Sequence, residues 1–170
     1  KTYAQGSAQT RETVIRNTSF DPRGNATTQE IETWYVPAAG ANTLTNYQII
    51  TNRTFNAQRN VVNQKVLTYD MVDPAKRQLL DVQEVRSSNF DSLTGIAKDQ
   101  TVVTYSDDTA SAQIVDVKVT SNLNISSSGN IGTSVITTYS SASIANSGSG
   151  AITVSGEIDQ ETITTALTDF

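Results

Sequence analysis

The sequence predicts an all-β protein, an antiparallel meander of tandem β-hairpins that folds into a sandwich or a barrel. The main observation is a recurrence at intervals of 35 residues, marked by Phe20, Phe55, Phe90 and Ile125. A fixed period of this length is typical of a supersecondary unit that is copied and stacked. The other two observations are turn-forming residues after each marker and a high content of β-branched and aromatic residues between the turns. We therefore expect four repeats of about 35 residues and a degenerate fifth.

The turn in the middle of each unit is the most specific local signal. In the first unit Asp21 is followed by Pro22 and then by Gly24, which is typical of a type I turn closed by a left-handed residue. Arg59 occupies the position of Gly24 in the second unit, so we expect backbone strain there. The predicted turns are Asp21–Asn25, Asn56–Asn60, Asp91–Gly95 and Ser126–Asn130.

The alternating segments between these turns are predicted to be strands, and helix has little support except as a turn over Val72 to Arg77. A weaker fifth hairpin is expected from strands near 151–158 and 161–167. The four links that separate the hairpins contain chain breakers or Ser and Gly: 37–40, 73–74, 107–108 and 140–150. The predicted strands of the four hairpins are 11–20, 26–36, 45–55, 61–71, 79–90, 96–106, 113–125 and 131–140.

The turn type also predicts the register of each hairpin. Apolar residues fall opposite one another when Phe20 faces Ala26, and the same rule places Phe55 opposite Val61. In the third unit Phe90 is expected opposite Ile96, which requires a bulge near Asp99-Gln100 to keep the outer part of the hairpin in register. The further pairs that this rule predicts are Ile15 with Ile31, Ile50 with Val66, Val85 with Val102, and Ile125 with Ile131.

Both faces of the predicted sheet carry apolar rows, so neither face is expected to be wholly exposed to solvent. One face has the row of repeat markers and a second row of aromatic residues, and the other face has a single aliphatic row. The aromatic row is Trp34, Tyr69, Tyr105 and Tyr139, with Tyr47, Val82 and Val117 opposite. The aliphatic row is Ile15, Ile31, Ile50, Val66, Val85, Val102 and Ile136.

The composition excludes several kinds of chemistry. The chain has no Cys and no His, which removes thiol chemistry, thiolate or imidazole metal sites, and catalytic triads that need an imidazole base. A net charge of −5 argues against a nucleic-acid partner, which requires a basic surface. No apolar run is long enough to span a membrane. We therefore expect no catalytic residue, no metal site and no cofactor.

We divide the sequence into three parts. Residues 1–9 lack apolar periodicity and are expected to form an extended N-terminal arm, and residues 10–140 are the four hairpins. Residues 141–170 are a Ser/Gly-rich link followed by the degenerate hairpin. Because the first residue is Lys1, we expect a processed chain or a piece of a longer protein.

Some side chains have a functional interpretation beside a structural one, and in each case we favour the structural one. The acidic residues in the turns suggest calcium ligands, but an Asp at the start of a turn is explained by its bonds to the turn backbone. The trio of Glu157, Asp159 and Glu161 suggests a carboxylate site, but charges also protect an edge strand from association. The aromatic row suggests sugar stacking, but a column at a fixed repeat position is usually core. The turn and link carboxylates concerned are Asp21, Asp73, Asp91, Asp107 and Asp108.

The string Phe20-Asp21-Pro22-Arg23-Gly24 resembles the core of bacterial YD-type tandem hairpin repeats, whose units carry an aromatic-Asp-x-x-Gly pattern. Phe90-Asp91 matches the first half of that pattern, and Phe55-Asn56 departs from it at the Asp. The resemblance covers a few residues in each unit, and the period here is longer than that of the family. It implies a large bacterial surface or secreted protein in which the hairpins form a shell or a stalk.

These features favour a non-enzymatic structural subunit or repeat module of an extracellular bacterial assembly, such as a filament, stalk, adhesin or phage-like fibre. We expect self-association through strand edges or terminal segments, because a meander ends in two edge strands. The alternative is a barrel or sandwich that binds a small apolar ligand or a glycan in a pocket of non-repeating residues.

Overall fold

The computed structural model describes residues 9–37, 39–71, 77–146, 148 and 150–165 as one antiparallel sheet of nine strands. The strands follow the order of the chain, so each pairs with its sequence neighbours. They are β1 (Gln9–Phe20), β2 (Ala26–Pro37), β3 (Thr43–Phe55), β4 (Val61–Asp70), β5 (Gln78–Phe90), β6 (Ala97–Tyr105), β7 (Ile114–Ile125), β8 (Ile131–Ile144) and β9 (Ile152–Thr164). The expected arm at residues 1–8 and the possible turn at 72–76 lie outside the described residues.

The sheet is open, so the sandwich or barrel that the sequence predicts is not confirmed. β1 and β9 are the two edges and do not pair with each other. Extensive strand contacts join consecutive strands only. On one face, described residues of the links between hairpins lie over the strands and cover part of the apolar surface there.

The four predicted turns are confirmed. Asp21 N–H bonds the carbonyl of Asn25 at 2.9 Å, and Asn56 and Ser126 make the same bond in their hairpins. The registers of the first, second and fourth hairpins are also as predicted, since Ile15 lies opposite Ile31, Ile50 opposite Val66, and Ile125 opposite Ile131.

The third hairpin differs from the prediction by one residue. Phe90 lies opposite Ala97 rather than Ile96, and the pairing runs without a shift to Val85 and Val102. The expected bulge near Asp99-Gln100 is therefore wrong. The extra residue lies in the turn, where Asp91 N–H reaches the carbonyl of Ile96 at 2.8 Å and Gly95 takes the left-handed conformation, with φ 73°.

The C-terminal hairpin expected from strands 151–158 and 161–167 is also wrong, because β9 is a single strand from Ile152 to Thr164. Residues 141–144, expected in a link, extend β8 because they pair with 152–155 at the base of the β8–β9 hairpin. Residues 166–170 lie outside the described part of the chain.

The junctions between successive hairpins share one irregularity. At each junction an even-numbered strand contributes a Thr followed by an aromatic residue, and these two residues face three residues of the next strand. The extra residue of the next strand makes a β-bulge. The Thr–aromatic pairs are Thr33-Trp34, Thr68-Tyr69, Thr104-Tyr105 and Thr138-Tyr139. The inserted residues are Thr45, Leu80, Val115 and Ile158, and all four are exposed.

The two faces are buried in different ways. On the face that carries the aromatic row, called the front face here, Tyr47 packs with Leu44 and Met71, and Val103 and Val117 are fully buried. The back face carries the aliphatic row. Its central members Val66 and Val85 are covered by cross-strand neighbours, whereas Ile15 on β1 is 58% exposed because it has neighbours on one side only.

The strain predicted at Arg59 is present, and it gives a test of the turn geometry. Arg59 has φ 67°, in the left-handed region that costs a non-glycine residue roughly 1–2 kcal/mol. We expect Arg59→Gly to raise the free energy of unfolding by about 1 kcal/mol in urea denaturation, part of the relief being offset by the greater freedom of Gly in the unfolded chain. The reverse change at the same turn position, Gly24→Arg, should lower it. Equal effects of the two changes would contradict the turn assignment.

No helix long and apolar enough to cross a bilayer occurs in the described part of the chain.

Candidate functional site

The links between hairpins lie against the front face of earlier strands. Arg77, which precedes β5, places its guanidinium 4.0 Å from the ring centroid of Tyr47 on β3. Asp108, between β6 and β7, makes an ion pair with Lys65 of β4. A cavity of about 330 Å³ lies between the β6–β7 link and the sheet, and its lining includes Lys65, Tyr105 and Ile144. Arg77 and Asp108 therefore lie over strands that precede them in the chain.

The link between β8 and β9 reaches furthest and is held by three polar side chains on β4 and β5. Gly148 N–H donates to Glu84 Oε1 at 2.8 Å, and Arg86 Nε donates to the carbonyl of Gly150 at 2.8 Å. Asn63 Nδ2 donates to the carbonyl of Gly148 and, at 2.7 Å, to that of Asn52. We call this arrangement of Asn63, Glu84, Arg86 and the link the polar clamp.

The sheet register explains why these side chains converge. Glu84 and Arg86 are two residues apart on β5, so their side chains point to the same face. Asn63 on β4 lies directly opposite Arg86. Arg86 Nη1 lies 3.0 Å from Glu84 Oε2, and the Glu84 side chain is only 2% exposed. A buried carboxylate is tolerated when it is paired and hydrogen-bonded, and the clamp meets both conditions for Glu84.

Glycine is required where the link meets the sheet. Gly148 has φ 80°, and a Cβ at this position would overlap the side chain of Asn52. Its backbone thereby comes close enough for the bonds to Glu84 and Asn63.

The clamp leaves some polar atoms for water. Asn63 Oδ1 and Arg86 Nη2 are buried and have no hydrogen-bond partner among the described residues. Both side chains line a cavity of about 340 Å³ next to Gly150, Asp99 and Thr101. A cavity of this size with polar walls has room for water molecules, which would satisfy such atoms. Chemically, the site is a structural polar network.

Three of the acidic residues considered as calcium ligands accept hydrogen bonds from backbone N–H groups of their own turns and links. Asp21 Oδ1 accepts from the N–H groups of Arg23 and Asn25 at 2.9 and 2.8 Å. Asp91 accepts from Leu93 and Thr94 in the same manner, and Asp107 accepts from Thr109. Within the described ranges no three acidic residues are grouped so that they would hold a metal ion. Asp73 lies outside these ranges.

These hydrogen bonds lower the pKa of the three carboxyl groups below the ordinary value of 3.8. The main cause is the Asn25 side chain for Asp21, the Thr94 backbone for Asp91 and the Thr109 hydroxyl for Asp107. Because the pKa is lower in the folded state, the contribution to stability is complete above the unfolded value and is lost as the pH falls through the folded value.

We therefore expect the free energy of unfolding to fall as the pH drops below about 4, and to fall less steeply in a variant with Asn at positions 21, 91 and 107. Asn56 shows that an amide fits such a turn, since its Oδ1 accepts from Gln58 and Asn60 N–H at 3.0 and 2.9 Å. Urea denaturation at a series of pH values measures both curves. If the free energy of unfolding falls equally steeply at acid pH in both proteins, these carboxyl groups do not contribute to the pH dependence of stability.

The other candidate groups are placed differently. Glu157, Asp159 and Glu161 are exposed along β9 and are not gathered into a cleft. Trp34 packs beside Tyr47, whose ring centroid lies 5.8 Å from that of Tyr69. Burial raises the pKa of Tyr47. Part of the aromatic row is thus core.

The two edge strands present different surfaces. β1 exposes Arg11 and Ile15, whereas β9 exposes the three carboxylates and two isoleucines. Ile158 is 66% exposed and Ile163 is 44% exposed. Among the described residues, neither strand has a partner on its outer side.

No family model, curated protein or solved structure matches this chain.

Sequence reasoning did not find the polar clamp. Its link consists of small residues without a motif, and Gly148 is 64 residues from Glu84. The one available signal was the pair Glu84 and Arg86 at alternate positions of an otherwise apolar strand, which predicts opposite charges on one face.

Proposed function

We propose that this chain is a non-enzymatic structural module of an extracellular bacterial assembly, such as a filament, stalk, adhesin or fibre, and that it joins other copies through its strand edges. The observation that carries the proposal is the single open sheet of nine strands with two unlike edges. Exposed edges recruit further strands unless they are blocked.

The repeat plan supports a modular role. We propose four hairpin repeats, with β9 as the first strand of a fifth unit, because the bulge at Ile158 recurs at the same place as those at Thr45, Leu80 and Val115. In such arrays each unit contacts its neighbours, and unpaired ends need a cap or another copy. The resemblance to YD-type repeats agrees with a shell or stalk on a cell surface.

The edges themselves also support the proposal. No Pro interrupts Thr10–Phe20, and the exposed isoleucines on β1 and β9 would be buried by a further strand. Neither described edge carries Lys or Pro, and the charges that they do carry are three carboxylates on β9 and two Arg with one Glu on β1, which oppose the pairing of β9 with itself more than the pairing of β9 with β1.

The test is the mass of the native protein, measured by light scattering over a range of concentrations and with electron microscopy for filaments. We expect concentration-dependent association that is lost when residues 151–170 are deleted and weakened when residues 1–9 are deleted. A monomer at high concentration, unchanged by either deletion, would overturn the proposal.

The alternative, a binding module, is favoured by one observation. The front-face cavity of about 330 Å³ is lined by Val82, Tyr105 and Ile144, and also by Lys65 and the carboxylates Glu84, Asp107 and Asp108, so it combines an apolar patch with charged groups of both signs. Titration with glycans and small apolar ligands, monitored by NMR shifts of these residues, distinguishes the two functions.

A further inference from the structure

We propose that copies join head to tail, with β9 of one copy lying parallel to β1 of the next and Asp159 beside Arg11. This inference rests on the proposed function and specifies the edge, the partner and the register. The partner is a second copy of this chain.

The repeat positions define the register. Asn46, Asp81, Asp116 and Asp159 each lie opposite the Thr of a junction, next to the inserted residue of the bulge. Arg11 is 35 residues before Asn46, so the first unit has a cation where the later ones have Asn or Asp. Aligning β1 with β9 at this position places opposite charges side by side.

The same alignment joins the aliphatic row of the back face. Ile15 lies four residues after Arg11, and Ile163 lies four residues after Asp159. Both isoleucines are on the back face, as are Arg11 and Asp159, because side chains alternate along each strand. Ile15 is 58% exposed and Ile163 is 44% exposed, so this contact would remove apolar surface from water on both copies.

The direction of the strands agrees with head-to-tail joining. In an antiparallel meander the odd-numbered strands all run the same way, so β9 and β1 are parallel when the sheet continues from one copy into the next with the same face forward. The contact uses two different edges, so it leaves one free edge at each end and generates a chain of copies.

Charge disfavours a symmetric dimer in which β9 of one copy pairs with β9 of another. Glu157, Asp159 and Glu161 are the only charged residues of β9, so pairing β9 with itself would oppose three carboxylates to three. β1 carries Arg11 and Arg16 against one acid, Glu12. The unlike pairing is therefore the electrostatically complementary one.

A charge exchange tests the contact. Arg11→Glu and Asp159→Arg should each weaken self-association about fivefold, the effect of roughly 1 kcal/mol for an exposed pair, and the double variant should return to within about twofold of the wild type. Arg23→Glu, the same change at an exposed turn residue, is the matched control and should have no effect. Sedimentation equilibrium gives the constants.

A mixing experiment tests the pairing of unlike edges. Lys in place of Ile15 should block β1, and Lys in place of Ile163 should block β9. Each variant alone should be monomeric, and an equimolar mixture should form 1:1 dimers through the two intact edges. A dimer of the Ile15→Lys variant alone would show that β9 pairs with itself and would overturn the inference.

The outcomes separate this inference from the proposed function. Wild-type association that is unchanged by both charge variants would overturn the β9–β1 contact and leave a structural assembly through another surface. A wild-type protein that remains monomeric would overturn both.

Discussion

Arg86→Ala is expected to lower the free energy of unfolding by about 3–5 kcal/mol, the usual cost of removing one partner from a buried ion pair. The change removes the ion pair between Arg86 and Glu84, whose side chain is 2% exposed, and also the bond to the carbonyl of Gly150. For a domain of ordinary stability this is a large part of the total. Guanidinium denaturation followed by circular dichroism gives the value.

The chain offers a matched control in Lys118 and Asp116. They are also two residues apart on one strand, with Nζ and Oδ2 2.7 Å apart, but their side chains are 50% and 35% exposed. Lys118→Ala should cost less than about 1 kcal/mol, because exposed pairs contribute little. Similar losses for the two variants would mean that the polar clamp has no special role in stability.

Gly148→Ala is expected to cost about 3 kcal/mol, because it combines left-handed strain with overlap against Asn52. Hydrogen exchange should show loss of protection at the N–H of Gly148, whose acceptor is Glu84. The link is held by a few bonds, so we expect it to detach while the hairpins stay folded.

Gly24→Ala is the control for this second change. Gly24 has the same φ, 80°, and no atom lies within 4 Å of the position of an added Cβ. Its substitution should therefore cost only the conformational part, about 1 kcal/mol. If both substitutions have the same cost, the close approach of the link to Asn52 is not a determinant of stability.

The local features of the fold were predictable because a few neighbouring residues determine them. The Asp–Gly pattern of the first turn places Phe20 opposite Ala26, and copying this rule along the repeat gave three of the four registers. In the third hairpin the shift of Gly from the expected position to Gly95 was visible. Turn propensity alone did not show that the turn, rather than the strand, absorbs the extra residue.

The non-local features were not predictable in the same way. β9 was expected as two strands, but its pairing with β8 keeps it continuous. A sandwich or barrel was expected because both faces carry apolar rows, and in the structure the links cover part of the front face. The clamp depends on contacts such as that of Gly148 with Glu84, and no pattern in the sequence encodes a separation of 64 residues.

The placement of the links has a consequence for how the chain folds. Every strand pairs with its sequence neighbour, so each hairpin closes a short loop and the sheet can grow from any of them. Lys65 with Asp108 and Glu84 with Gly148 span 43 and 64 residues, and the surfaces they join exist only after several strands have paired. We therefore expect fast formation of the sheet and a later step in which the links dock, so that substitutions in the clamp speed unfolding with little effect on the rate of folding.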